Sequence, residues 1–135
     1  TKTTSYSSVA KMPSHRDFVR EMSEACARHG LRFGLYYSLI DWNYPHAYPI
    51  SSHNADFVTP EHHEFSKAQV RELLTNYGKI DIMWFDFHYD DMTGEKWEAT
   101  KLIKMAREIN PDLIIDDRLG GDIKVDEPVY PQRLH

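Results

Sequence analysis

The chain has 135 residues, 41% of them apolar and 13% aromatic, enough to build a core and too many for wholesale disorder. With 16 basic against 21 acidic residues it carries a net charge of −5 and has no Lys/Arg run, which speaks against nucleic acid or an acidic membrane surface as partner. Its longest largely apolar stretch, Phe33 to Ile40, is far short of the roughly 20 residues of a membrane helix, and one cysteine, Cys26, excludes an internal disulfide or a cysteine-based metal cluster.

The chain opens at Thr1 without a targeting segment and reads as an excerpt of a longer protein. Ser14 is the expected N-cap of a first helix, with Asp17 favouring the positive end of its dipole. Phe18, Val19, Met22, Ala25 and Cys26 then fall on one helical face, and Gly30 closes the helix. Cys26 is expected as a small buried hydrophobe. Leu31 to Leu39 reads as a buried strand.

The next unit repeats that order. Thr59-Pro60-Glu61 combines an N-cap, a proline suited to the first helical position and an acid in the first turn. Phe65, Val70, Leu73, Leu74 and Tyr77 supply the packed side, and Gly78 ends the helix. Ile80 to Phe85 is the second strand, ending at Asp86. A third helix is predicted from about Glu95 to Ile109, with Ala99, Leu102, Ile103 and Ala106 on one face. Pro111 stops it, and Leu113-Ile114-Ile115 is the third strand, ending in Asp116-Asp117-Arg118.

Helices alternating with near-continuous apolar strands imply an α/β fold with a parallel sheet covered by helices. An open doubly wound sheet and a (β/α)8 barrel both fit. No Gly-rich phosphate loop follows any strand, which weakens the nucleotide-binding version. Polar residues gather just past each strand's C-terminal end, at 38–42, 86–91 and 116–127, where a barrel keeps its active site. A complete barrel needs roughly 250 residues, so three strands are a slice of one.

Asp86 ends an apolar strand, where a carboxylate is desolvated unless it has a partner or a job; the structural alternative is a helix cap or ion pair. Trp84, two residues earlier, lies on the same side, as in sites where sugars stack on rings, unless it simply packs in the core. Glu127, about ten residues past the third strand, supplies the second carboxylate that glycoside hydrolysis uses, with Asp122 and Asp126 as rivals. Arg118 can grip a carboxylate or a sugar hydroxyl, or pair locally with Asp116 or Asp117. Of Tyr36 and Tyr37 one must face the site. The smaller, more polar set Gly34, Tyr36, Ser38 assigns that role to Tyr36. The loop from Leu39 to Val58 carries Trp42, Tyr44, His46, Tyr48 and His53, which suit carbohydrate contacts or packing of the loop on itself. His62 and His63 are adjacent, point about 100° apart and read as the solvated first turns of a helix rather than metal ligands. Neither a His-Glu-x-x-His nor a Gly-x-Ser-x-Gly motif occurs, which disfavours a metal hydrolase or an esterase.

Three runs carry a family resemblance. Gly30 to Trp42 (GLRFGLYYSLIDW) resembles the third-strand segment of the α-L-fucosidases of glycoside hydrolase family 29. Lys67 to Asp86 (KAQVRELLTNYGKIDIMWFD) is similar to that family's fourth helix–strand segment, and Asp116-Asp117-Arg118 to the Asn-Asp-Arg that ends its fifth strand. The resemblance covers nearly the whole chain, in order.

It implies a fragment, residues 1–135, of one catalytic (β/α)8 TIM-like barrel domain, holding strands 3 to 5. It implies a retaining exo-glycosidase acting on α-L-fucosides, with Asp86 as nucleophile and Glu127, in the segment from Asp122, as acid/base. Trp84, Arg118, Tyr36 and Trp42 are the implied substrate-binding residues. The expected partner is a fucosylated oligosaccharide or glycoconjugate, with no metal and no cofactor. The family suggests a periplasmic, secreted or lysosomal protein. Asp116 departs from the pattern, standing where Asn is commoner, and the family's paired histidines lie upstream of Thr1. The fragment alone is expected to be inactive. A related barrel glycosidase on another sugar, or a non-catalytic carbohydrate-binding relative, is the alternative. The pair of Asp86 and Glu127 argues against the latter.

Overall fold

The structure, a computed structural model, describes residues 1–45, 58–86 and 92–120. A short helix not foreseen from the sequence, α1 (Ser8–Lys11), opens it, capped by the Ser7 side chain on the Ala10 amide.

Helix α2 (Phe18–Arg28) starts at Asp17, not at Ser14. The Asp17 carboxylate accepts from the Arg20 amide at 3.1 Å and lies at the positive end of the helix dipole. The helical run cannot reach back to Ser14, because His15 sits at φ 50°. The helix ends at His29, with Gly30 at φ +65°. Its apolar stripe is less buried than its spacing predicts. Phe18 and Met22 are exposed, and Cys26 is half-buried rather than buried. Of the stripe, Val19 packs against the core, and polar groups beside it complete the attachment. Ser23 hydroxyl donates to the Tyr77 carbonyl, and the Arg20 guanidinium lies 5.0 Å over the Tyr77 ring.

Strand β1 (Gly34–Ser38) is shorter than the apolar run, because its pairing begins only at Gly34 opposite Ile82. A Cβ on Gly34 would meet the Ile82 Cβ at 2.9 Å, so the strands meet closely there through the missing side chain. Helix α3 (Pro60–Asn76) begins as read from the sequence, with the Thr59 hydroxyl accepting from the His62 amide and proline in the first turn. The expectation of a solvated first turn is overturned at His62, which is buried. Its ring meets Tyr44 edge-on at 4.8 Å and lies 6.1 Å from Trp97, so the loops after β1 and β2 close over it.

Strand β2 (Ile82–Asp86) follows. The predicted third helix is broken in two. A 3-10 helix (Gly94–Trp97) precedes α4 (Ala99–Ile109), because Glu98 turns left-handed at φ 51° and the Trp97 indole donates back to the Met92 carbonyl at 2.8 Å. Ala99, Leu102, Ile103 and Ala106 are buried as their spacing predicts. Strand β3 (Ile114–Ile115) ends the described elements.

The strands form one parallel sheet in the order β1-β2-β3. Alternation sends Tyr37, Met83, Phe85 and Ile115 into the core that α3 and α4 share. Phe85 is fully buried, and its loss to alanine would cost about 3–5 kcal/mol. The sheet has two faces, a helix-facing one expected to take Tyr37 and an inner one expected to take Tyr36. Among the described residues helices cover one, and Tyr36, Ile82 and Trp84 stand exposed on the other.

Candidate active site

The parallel register places chemistry at one end of the sheet. Tyr36 lies opposite Trp84 and Ser38 opposite Asp86, and the Leu39 amide donates to the Asp86 carbonyl at 3.1 Å. Because side chains alternate, Tyr36, Trp84 and Asp86 share the uncovered face.

Asp86 is held on both oxygens. The Tyr36 hydroxyl donates to one at 2.7 Å, and Arg118 Nε lies 2.8 Å from the other. The Tyr36 and Trp84 rings meet edge to face, centroids 5.5 Å apart. Loss of water around the Tyr36 hydroxyl, then its bond to Asp86 and that group's charge, push its pKa up to about 12. It therefore stays a donor throughout the neutral range. The result is a carboxylate fixed in orientation, beside an aromatic wall, on an open face. Such a group is equipped to attack an electrophilic carbon or stabilise a developing positive charge.

The loops after β2 and β3 are bound to each other. The Gly94 amide donates to the carbonyl of Leu119, the residue after Arg118. Gly120 stands at φ +117°, and a Cβ there would lie 2.7 Å from the Gly94 nitrogen. Only glycine allows this crossing.

Asp116, read from the sequence only as a local partner for Arg118, instead lies beside the strand that carries Asp86. Its carboxyl is buried, and one oxygen accepts from the Phe85 amide at 2.9 Å. Burial pushes its pKa up to about 6 against the opposing pull of that amide. The available signal was a carboxylate placed directly after the apolar run 113–115.

Tyr36, Trp84, Asp86 and Arg118 thus come together. Trp42 is exposed in a turn past β1, where the Asp41 carboxylate accepts from the Asn43 amide at 2.8 Å. Glu127, its rivals Asp122 and Asp126, and His46, Tyr48 and His53 lie outside the described residues. Among the described residues no group of three or more His, Cys, Asp and Glu is placed to hold a metal ion, and no helix is long and apolar enough to cross a membrane.

Solved structures share this arrangement of elements. Alpha-L-fucosidase isoenzyme 1 from Paenibacillus thiaminolyticus matches with a TM-score of 0.72 and 46% identity, over 91% of this chain and 33% of that one. Alpha-L-fucosidase AlfC from Lactobacillus casei in complex with alpha-L-fucose product matches at 0.69 and 30%, over 90% and 42%. An AlfC mutant in complex with 4-nitrophenyl-α-L-fucopyranoside matches at 0.66 and 28%, over 90% and 42%. The tissue alpha-L-fucosidase of Homo sapiens is 31% identical over 111 residues, 78% of this chain and 23% of its own length. The chain therefore spans between a fifth and a half of the relatives it matches. Residues 1–132 match the family model described as Alpha-L-fucosidase, and the chain belongs to the alpha-L-fucosidase family.

Proposed function

We propose that this chain supplies strands 3 to 5 of a single (β/α)8 catalytic domain and the nucleophile of a retaining α-L-fucosidase. The observation that carries the reading is the Asp86 carboxylate held between Tyr36 and Arg118, beside Trp84, at the C-terminal end of a parallel sheet. Relatives that hold fucose or a fucoside support the choice of sugar.

Asp86 attacks the anomeric carbon of an α-linked fucose as the glycosidic bond breaks. Glu127 gives its proton to the departing oxygen. A covalent fucosyl-enzyme forms. Glu127, now a base, takes a proton from water as the water oxygen bonds to the anomeric carbon and the Asp86 carboxylate departs, releasing fucose with retained configuration. Arg118 and Tyr36 fix the attacking oxygen's direction, Trp84 packs against the sugar's apolar face, and Trp42 flanks the bound glycan. The natural substrate is a fucosylated oligosaccharide or glycoconjugate, and activity belongs to the complete barrel.

The test uses the complete barrel protein carrying this segment. It should release nitrophenol from 4-nitrophenyl α-L-fucopyranoside. Asp86→Gly should abolish turnover without unfolding, and azide should restore it with fucosyl azide as product. Full turnover by Asp86→Gly without azide refutes the nucleophile. Turnover of a galactoside but not a fucoside refutes the substrate.

A further inference from the structure

Asp116 lies one residue past β3, next in register to Trp84 if the pairing of Ile82 with Ile114 is continued. It is a buried carboxyl in a sheet whose other buried groups at this level are Phe85 and Ile115. Such a placement is costly unless the charge is used. One oxygen accepts from the Phe85 amide, and the other is also buried. Phe85 immediately precedes Asp86, so this bond ties the backbone that carries the Asp86 side chain to the chain that carries Arg118. Since Arg118 is itself on Asp86, Asp116 closes a ring. Asp86 is fixed through its side chain by Arg118 and through its backbone by Asp116.

We propose that Asp116 is a positioning residue for the nucleophile, holding the Phe85 amide so that the Asp86 carboxylate keeps its angle of attack. This inference rests on Asp86 being the nucleophile. A carboxylate is a stronger acceptor than a carboxylic acid or an amide oxygen. The grip on Phe85 is therefore tightest when Asp116 is ionised, and it loosens as the group takes up a proton. Asp117, its neighbour on the same segment, bears on Asp116 through its charge, while Arg118 on that segment pairs with Asp86, which in turn accepts from Tyr36. Burial first, and to a smaller extent the Asp117 charge, favour the protonated form, while the amides of Phe85, Asp116 and Arg118 oppose it. With the balance near pH 6, the grip is titrated within the range in which glycosidases are assayed.

Two variants of the complete protein separate alignment from mere structure. Asp116→Asn keeps an acceptor for the Phe85 amide and cannot ionise. Asp116→Ala removes the acceptor. With an aryl fucoside, Asp116→Ala should lose about 10- to 100-fold in kcat with KM within about threefold, since a misplacement of roughly 1 Å costs on that order. Asp116→Asn should keep kcat within about tenfold and lose the inflection near pH 6 from its rate profile. In parallel, protein labelled with 15N-phenylalanine reports the contact without turnover. The Phe85 amide proton should shift between pH 5 and 7 in the native protein and not in Asp116→Asn. The inference is overturned if folded Asp116→Ala keeps native kcat, if Asp116→Asn is as slow as Asp116→Ala, or if the Phe85 amide does not titrate. A native protein whose Phe85 amide titrates but which turns over no fucoside overturns the functional reading instead, and with it the catalytic meaning of the contact.

Discussion

Replacing Tyr36 by phenylalanine deletes one atom at the centre of the proposed site. The hydroxyl makes a 2.7 Å bond to a carboxylate, and the ring meets Trp84 edge-on at 5.5 Å. Phenylalanine keeps the ring contact and loses only the bond. A hydrogen bond to a charged group contributes about 1.5–3 kcal/mol. With tenfold in rate for each 1.36 kcal/mol or so, kcat/KM for an aryl fucoside should fall by about ten- to hundredfold. Folding should change little, because Tyr36 is half-exposed and Arg118 still holds the other Asp86 oxygen. The pH dependence has a definite sign. The Tyr36 pKa is raised, so what its hydroxyl contributes is complete below pH 10 and is lost only as pH rises through about 12. Native and Tyr36→Phe proteins should therefore show the same alkaline limb up to pH 10. The assay is a kcat/KM profile from pH 4 to 10, with thermal unfolding as the control for folding. An unchanged kcat/KM, or an alkaline limb near pH 9 that disappears in Tyr36→Phe, refutes the role of the hydroxyl as a constant donor to Asp86.

Two further outcomes follow. Glu127→Ala in the complete protein should slow substrates with poor leaving groups far more than aryl fucosides with good ones, because only the former need the proton. Equal slowing, or the same signature from Asp122→Ala or Asp126→Ala, would name a different acid. His62, buried against Tyr44 and Trp97, has its pKa pushed down to about 4 by burial and then by His63, so the unfolded chain protonates first as pH falls. Its contribution to stability is present above pH 6.5 and is lost between there and about pH 4, on the order of 2 kcal/mol from pH 7.5 to 5. Urea unfolding at those two values should show that loss in the native protein and a smaller one in His62→Phe. Equal losses would mean that other groups carry the acid sensitivity.

Local rules accounted for much of this protein before any tertiary contact was known. Thr59-Pro60 starts α3 and Gly78 follows it because capping and proline geometry involve neighbouring residues only. The alternation in β1 separated Tyr36 from Tyr37, since a strand's side chains take turns whatever packs on them. The apolar runs ending in Asp86 and Arg118 marked the site's end of the sheet. Other features depended on elements distant in sequence. Arg118 had Asp116 and Asp117 as nearer candidates, yet it meets Asp86, because the register of β3 on β2 decides which strand ends are neighbours. His62 looked solvated beside Glu61 and His63, until Tyr44 and Trp97 from two other loops closed on it. The stripe on α2 was legible as a helix face but not as one left open at Phe18 and Met22, since periodicity reports which residues share a face and not what lies against it. Asp116 is the clearest case. Its partner is a backbone amide 31 residues away, and no pattern of side chains along a chain encodes a bond to a main-chain group on a neighbouring strand.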